Sequence, residues 1–216
     1  MIPAFPVYIF DVDGTLVDSA DDICGALVDV FKTTSCRGLR RQDLTRYIGI
    51  HLVDMLRDLM PEAPPERCDE LIREYRRLYL DRDHRSTRRY PGVKEALAAL
   101  PGRKSTATTK GTPTTRQVLE RFDLIEHFDH VQGTDGFAHK PAPDVVLAAI
   151  RGLGARPEEC LMVGDSQADM EAGRRAGVKV CAVTYGYGNH TEMARWTPDY
   201  WISDLRELCQ PHALLV

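Results

Sequence analysis

Two carboxylates one residue apart, Asp11 and Asp13, close the apolar run Val7-Tyr8-Ile9-Phe10 and are followed at once by Gly14-Thr15. A short apolar run that stops on acids reads as a buried strand delivering them to the edge of a sheet. Side chains two apart on a strand point the same way, so the pair can share one site. Gly14 lets the chain turn sharply with no Cβ in the way. Carboxylates so close repel each other and call for a cation, a shared proton or a hydrogen-bond cradle. A hard divalent ion with oxygen ligands, Mg2+, meets that requirement. An Asp-rich turn at a strand end would show the same letters for purely conformational reasons.

Three further stretches carry chemistry of the same kind. Thr108-Thr109-Lys110-Gly111 ends a polar strand and starts a helix, where hydroxyls and backbone N–H groups can hold an anion. Lys140, held among prolines in Phe137-Ala138-His139-Lys140-Pro141-Ala142-Pro143, can present a fixed ammonium to a phosphoryl group, and His139 beside it reads as a bystander. Gly164-Asp165-Ser166-Gln167-Ala168-Asp169 repeats the opening logic: a buried run stops on Asp165, a third metal carboxylate. Asp169, one helical turn on, can orient a ligand or Lys140 from behind, with Ser166. His51 follows Gly49 in an inter-helix turn, a place from which a substrate can be read. Taken singly, these are also what an N-cap, a surface lysine and a capping acid look like.

The elements that must carry these groups follow from periodicity and breakers. Helical spacing is expected after Ser19 or Asp21 (Ile23, Leu27, Val30, Phe31), around Asp43–Tyr47 and Leu52–Met60, and in a longer segment begun by Pro64-Pro65. No strand is expected from Asp18 to Arg89, so this region reads as an all-helical insertion. Arg85, Arg88 and Arg89 at its end read as a solvated face. Beyond Tyr90-Pro91-Gly92 the elements alternate. Strands are expected at Lys104–Thr109, Phe128–Gln132, Cys160–Gly164, Val178–Val183 and Tyr200–Ile202. Helices are expected at Val93–Leu100, Thr112–Phe122, Pro143–Leu153, Gln167–Ala176 and Asp204–Cys209. That alternation implies an α/β fold, a Rossmann-like parallel sheet flanked by helices with an inserted four-helix domain, its ligand site at the carboxyl ends of the strands. The division expected is residues 1–16 and 88–216 for the core and 17–87 for the insertion.

Composition limits the partners. The 216 residues are 43% hydrophobic and 28% charged, as in globular proteins, with a net charge of −4 that gives no basic field for nucleic acid. No apolar run approaches a membrane span, and Met1–Pro6 shows neither a basic segment nor a cleavage pattern. The six cysteines (Cys24, Cys36, Cys68, Cys160, Cys181, Cys209) form no C-x-x-C pair, so reduced thiols and a cytoplasmic location are expected. No motif specifies an oligomeric state.

In order along the chain, these stretches resemble the haloacid dehalogenase superfamily of aspartate-nucleophile phosphohydrolases. Asp11-Val12-Asp13-Gly14-Thr15 is similar to its first motif, Thr108 to the hydroxyl residue of the second, Lys140 with Pro141 to the third, and Gly164-Asp165 through Asp169 to the fourth. Leu16-Val17-Asp18-Ser19, Tyr47-Ile48-Gly49, Tyr90-Pro91-Gly92 and Thr184-Tyr185-Gly186-Tyr187-Gly188 resemble its phosphoglycolate phosphatase group, while Thr109 stands where relatives commonly carry Asn. The resemblance implies a Mg2+-dependent phosphatase acting on a small phosphorylated metabolite, with the helical insertion as a cap. Asp11 would be the nucleophile and Asp13 the general acid and base, with Mg2+ on Asp11, the Asp13 carbonyl and Asp165. Thr108, Lys140 and the backbone around Val12, Gly14, Thr15 and Thr109 would bind phosphate. The acid at Asp13 counts against the dehalogenase branch. 2-Phosphoglycolate is the first substrate expected, ahead of another sugar phosphate, a nucleotide or pyrophosphate. A sugar phosphomutase and, from another class, a phospho-receiver signalling module are the alternatives.

Overall fold

Val7, Tyr8, Ile9 and Phe10 are completely buried and form strand β1 (Val7–Phe10). The computed structural model describes residues 2–209. After β1 come a two-residue strand β2 (Val17–Asp18), helices α1 (Ala20–Phe31), α2 (Arg41–Leu44), α3 (Leu52–Leu59) and α4 (Pro65–Asp81), and a second two-residue strand β3 (Arg88–Arg89). The chain continues through α5 (Val93–Ala99), β4 (Arg103–Thr106), α6 (Thr112–Arg121), α7 (Asp144–Gly152), β5 (Cys160–Gly164), α8 (Gln167–Ala176), β6 (Lys179–Val183), α9 (His190–Ala194) and β7 (Tyr200–Ile202).

Five strands form one parallel sheet in the order β4-β1-β5-β6-β7. Alternation along β1 divides its side chains between two cores. Tyr8 and Phe10 join Leu161, Val163 and residues of α5 and α6, while Val7 and Ile9 join Met162, Val180 and residues of α7 and α8. Both faces are covered, which is why β1 and β5 read as continuous apolar runs. Burying each such side chain stabilises the fold by about 1.5–3 kcal/mol. Phe10 pairs with Thr106 on one side and Val163 on the other, so the carboxyl ends of β4, β1 and β5 lie level. The strand order reverses at β1, the position where such sheets leave a crevice for ligands.

Helices α1–α4 gather around their own apolar cluster, including Leu27, Phe31, Met55, Leu56, Leu71 and Tyr75. Pro65 occupies the first turn of α4, where its missing N–H costs nothing. At the return end, Asp22 of α1 accepts hydrogen bonds from Ser86 N (3.0 Å) and Thr87 Oγ1 (2.7 Å).

Four local expectations need correction. The region from Asp18 to Arg89 does contain strand: Val17 pairs with Arg89 and Asp18 with Arg88, antiparallel, a ribbon too short to leave a periodic signature. Strand β4 stops at Thr106, short of Thr109. Phe128–Gln132 is not a strand; only His130 bridges to Ser105. There the Thr106 hydroxyl takes the Gln132 N–H (2.8 Å) and replaces a ladder bond. The last helical segment, Leu205–Cys209, is a 3-10 turn. Among the described residues, no helix is long and apolar enough to cross a membrane.

Candidate active site

The end of β1 places Asp11 against β5, where its N–H donates to the Val163 carbonyl at 2.9 Å. Asp165 lies at the equivalent point beyond β5. The turn after Asp13 brings the two together through Gly14, whose φ is +84°; a Cβ there would lie 2.2 Å from Asp165 Oδ2. Asp11, Asp165 and Asp169 are all buried, and each offers a carboxylate oxygen within 4.8 Å of the others'.

One ammonium serves this cluster. Lys140 Nζ donates to Asp11 Oδ1 (2.7 Å), Asp169 Oδ1 (2.6 Å) and the Ala107 carbonyl (2.9 Å), which uses all its protons. Asp169 Oδ2 accepts from Ser166 N (3.0 Å) and Ser166 Oγ (2.6 Å) in the capping box that starts α8, so Asp169 is fully engaged in positioning Lys140. Asp165 accepts from Thr15 Oγ1 (3.3 Å) and Tyr187 N (2.7 Å) and touches no cation. No hydrogen bond reaches Asp11 Oδ2 among the described residues.

The electrostatics follow. Burial lifts Asp11 from the ordinary carboxylate value to about 7, against the pull of Lys140. Burial, then Asp169 and Asp11, push Asp165 well up. Burial works against the Lys140 ammonium, but Asp11 and Asp169 outweigh it and raise its pKa. Three buried carboxylates facing one ammonium leave an excess of negative charge, and the donors are all oxygen. That is the environment a hard divalent cation stabilises, so the residues present fit Mg2+.

The Asp13 side chain does not join this cluster, and the expectation of the Asp13 carbonyl as the ion's ligand does not require it to. Its Oδ2 pairs with Lys110 Nζ at 2.7 Å and its Oδ1 accepts from Ser19 Oγ. Lys110 is nearly buried, 4.7 Å from the centroid of the Tyr79 ring on α4. Burial works against its charge, but Asp13, Tyr79 and Tyr75 together raise its pKa. Thr108 is buried beside this pair: its carbonyl accepts from Thr134 Oγ1 (2.9 Å) and its Oγ1 from Lys110 N (3.4 Å).

A cavity of about 500 Å³ lies between the helical insertion and the core. Thr109, Lys110 and Asp13 form its floor and His51 part of its wall. His51 caps α3, its Nδ1 accepting from Val53 N, and stacks on His139 with ring centroids 3.9 Å apart. His139 is therefore no bystander: its Nε2 meets Asp54 Oδ2 at 2.6 Å and ties α3 to the core. Burial and the neighbouring His139 hold His51 below the ordinary histidine value.

Sequence reasoning brought together Asp11, Asp165, Lys140, Asp169, Ser166 and Thr15, and the structure gathers them. It missed Lys110, visible beside Thr108 but without a partner in the local sequence. It gave no role to Tyr187, whose hydroxyl accepts from Ser19 N (2.7 Å) and Ala20 N (3.1 Å) and donates to Asp18 Oδ1 (2.7 Å). Of Ser19 and Asp21, the two caps expected for α1, Ser19 occupies the position, but its hydroxyl turns to Asp13 and makes no capping bond.

Comparison with known proteins is consistent with this geometry. A family model described as haloacid dehalogenase-like hydrolase matches residues 8–183. The chain is 33% identical over 213 residues to a phosphoglycolate phosphatase from Aquifex aeolicus, covering 95% of this chain and 97% of that protein. It is 32% identical over 204 residues to the pyrophosphatase PpaX of Halalkalibacterium halodurans, covering 93% of each. The crystal structure of a predicted phosphatase from Clostridium acetobutylicum superimposes with a TM-score of 0.85 at 25% identity, over 96% of this chain and 97% of that one.

Proposed function

From the premise that this chain belongs to the haloacid dehalogenase-like hydrolases and is a phosphatase, we propose that it hydrolyses small phosphate monoesters with Mg2+ through an aspartyl-phosphate on Asp11. The observation that carries this reading is the buried cluster of Asp11, Asp165 and Asp169 with Lys140 bonded to two of the three. Asp11, Asp165 and the Asp13 carbonyl would hold the ion, which when bound offsets the repulsion between carboxylate and phosphate.

Asp11 Oδ2 attacks phosphorus; an acyl phosphate bond forms and the ester P–O bond breaks. Asp13 gives a proton to the departing alkoxide and takes one from the water that then attacks phosphorus. Release of orthophosphate restores Asp11. Thr108 and the backbone around Val12, Gly14, Thr15 and Thr109 bind the phosphoryl oxygens, and the Lys140 ammonium, its protons held by Asp11, Asp169 and Ala107, offsets their charge from close by. Residues 17–87 act as a cap that excludes water and reads the leaving group, His51 among its reading residues. A cytoplasmic location suits this chemistry and the six free thiols.

The relatives' names suggest 2-phosphoglycolate and pyrophosphate as substrates to try first. The test is incubation with p-nitrophenyl phosphate and Mg2+, with quenching to trap acid-labile phosphate on Asp11. Multiple turnover with a trapped phosphoenzyme supports the reading. A single stoichiometric phosphorylation would point to a receiver-like switch, and transfer to a second sugar phosphate to a mutase.

A further inference from the structure

Resting on the phosphatase reading, we infer that the leaving alcohol is neutral and carries an apolar or aromatic body, in preference to the carboxylate of 2-phosphoglycolate or the phosphate of pyrophosphate. The cavity shows why. The insertion meets the core at the His51–His139 stack (3.9 Å) and the Lys110–Tyr79 contact (4.7 Å), among other points, and a cavity of about 500 Å³ still lies between insertion and core. A volume of that order encloses a ligand much bulkier than a two-carbon acid.

The roof contributed by the insertion is largely aliphatic and aromatic, with His51 and Arg76 among its members. Leu27 and Met55 face it from α1 and α3, and Tyr75 and Tyr79 line it from α4 with their rings stacked at 5.8 Å. Three large apolar side chains are exposed among the described residues, and two of them, Ile50 (42%) and Leu80 (48%), rim this cavity. Exposed apolar residues gathered at the mouth of a cavity mark a surface that a ligand covers.

Charge points the same way. The lining holds two cations, Lys110 and Arg76, and two carboxylates, Asp13 and Asp135. Lys110 is already taken by Asp13 at 2.7 Å, and Arg76 is exposed at the rim. His51 is held toward its neutral form by burial. Among the described residues Arg76, exposed at the rim and outside any ion pair, is the one lining lysine or arginine not already committed, and a solvent-exposed cation compensates little, so a second anion on the leaving group would enter beside Asp13 only weakly balanced. A neutral ring or alkyl body meets no such penalty and covers the roof.

The test compares kcat/KM for benzyl phosphate, 2-phosphoglycolate, pyrophosphate and acetyl phosphate with Mg2+. Benzyl phosphate is expected to exceed 2-phosphoglycolate and pyrophosphate by at least tenfold. Leu80→Ser and Ile50→Ser, both at exposed positions, are expected to lower kcat/KM for benzyl phosphate several-fold more than for acetyl phosphate. Preference for 2-phosphoglycolate or pyrophosphate overturns the inference, as does an equal effect of both variants on benzyl phosphate and acetyl phosphate. Failure to hydrolyse any of the four, acetyl phosphate included, overturns the phosphatase reading and this inference with it.

Discussion

Tyr187 donates its backbone N–H to Oδ2 of Asp165 at 2.7 Å, while its hydroxyl, at the far end of the same residue, binds Asp18 and the backbone of Ser19 and Ala20. One residue thus spans from a candidate metal ligand to the first turn of α1. Tyr187→Phe keeps the backbone contact and removes the hydroxyl. We expect a stability loss of about 1–3 kcal/mol from the lost hydrogen bonds, with Mg2+ affinity unchanged. Thermal melts and Mg2+ titration of the variant check both.

Asp11→Asn is expected to lower turnover of any phosphate ester by roughly 10^4-fold or more, because the attacking oxygen is lost. Asp13→Asn should leave formation of the phosphoenzyme measurable with an activated ester and slow its breakdown. Rapid-quench detection of acid-labile phosphate distinguishes them. Substantial steady hydrolysis by Asp11→Asn would refute the nucleophile assignment.

Gly186 lies so close to Asp165 that a Cβ on it would fall 2.3 Å from the Asp165 Cβ and 2.5 Å from the Gly14 carbonyl oxygen. Backbone on one side leaves little room to yield. Gly186→Ala is expected to shift Asp165 and raise the Mg2+ concentration for half-maximal activity by about tenfold or more. An unchanged Mg2+ requirement would show that Asp165 does not hold the ion.

Acid dependence follows from Asp11. Its folded value, about 7, lies above the unfolded value near 3.8, so the folded metal-free protein binds the extra proton. That contribution to stability is fully present below the unfolded value and is lost as pH rises through about 7. Mg2+ competes with the same proton, and its apparent affinity should fall by about tenfold per pH unit below neutrality if one proton is displaced. The rise in melting temperature caused by Mg2+ should be larger at pH 8 than at pH 5.5. Equal shifts at both values would contradict the assignment.

How legible was this site in the chain? Asp11, Asp165 and Lys140 were readable because each sits where a buried run or a proline-bounded loop halts, and the halt itself marks a strand end or a helix start. Lys110 was quoted but carried no role, because what gives it one is contact with Asp13 across a turn and with Tyr79 from the distant α4. Ser19 fits the pattern of a helix cap, and only the folded hinge shows its hydroxyl committed to Asp13. The carboxylate of Asp13 lies outside the cluster of Asp11, Asp165 and Asp169 and pairs with Lys110 and Ser19, a partnership no spacing rule contains. The Phe128–Gln132 segment has strand-like composition, yet a threonine hydroxyl takes its ladder bond.

The helical insertion begins at Val17–Asp18 and ends at Arg88–Arg89, two strand fragments paired to each other in a ribbon separate from the five-stranded sheet. On the proposed reading, the groups assigned to P–O cleavage lie on the core side of that ribbon, and much of the wall around the leaving group lies on the insertion side. Swapping the segment for a relative's would retune selectivity and leave the reactive machinery intact.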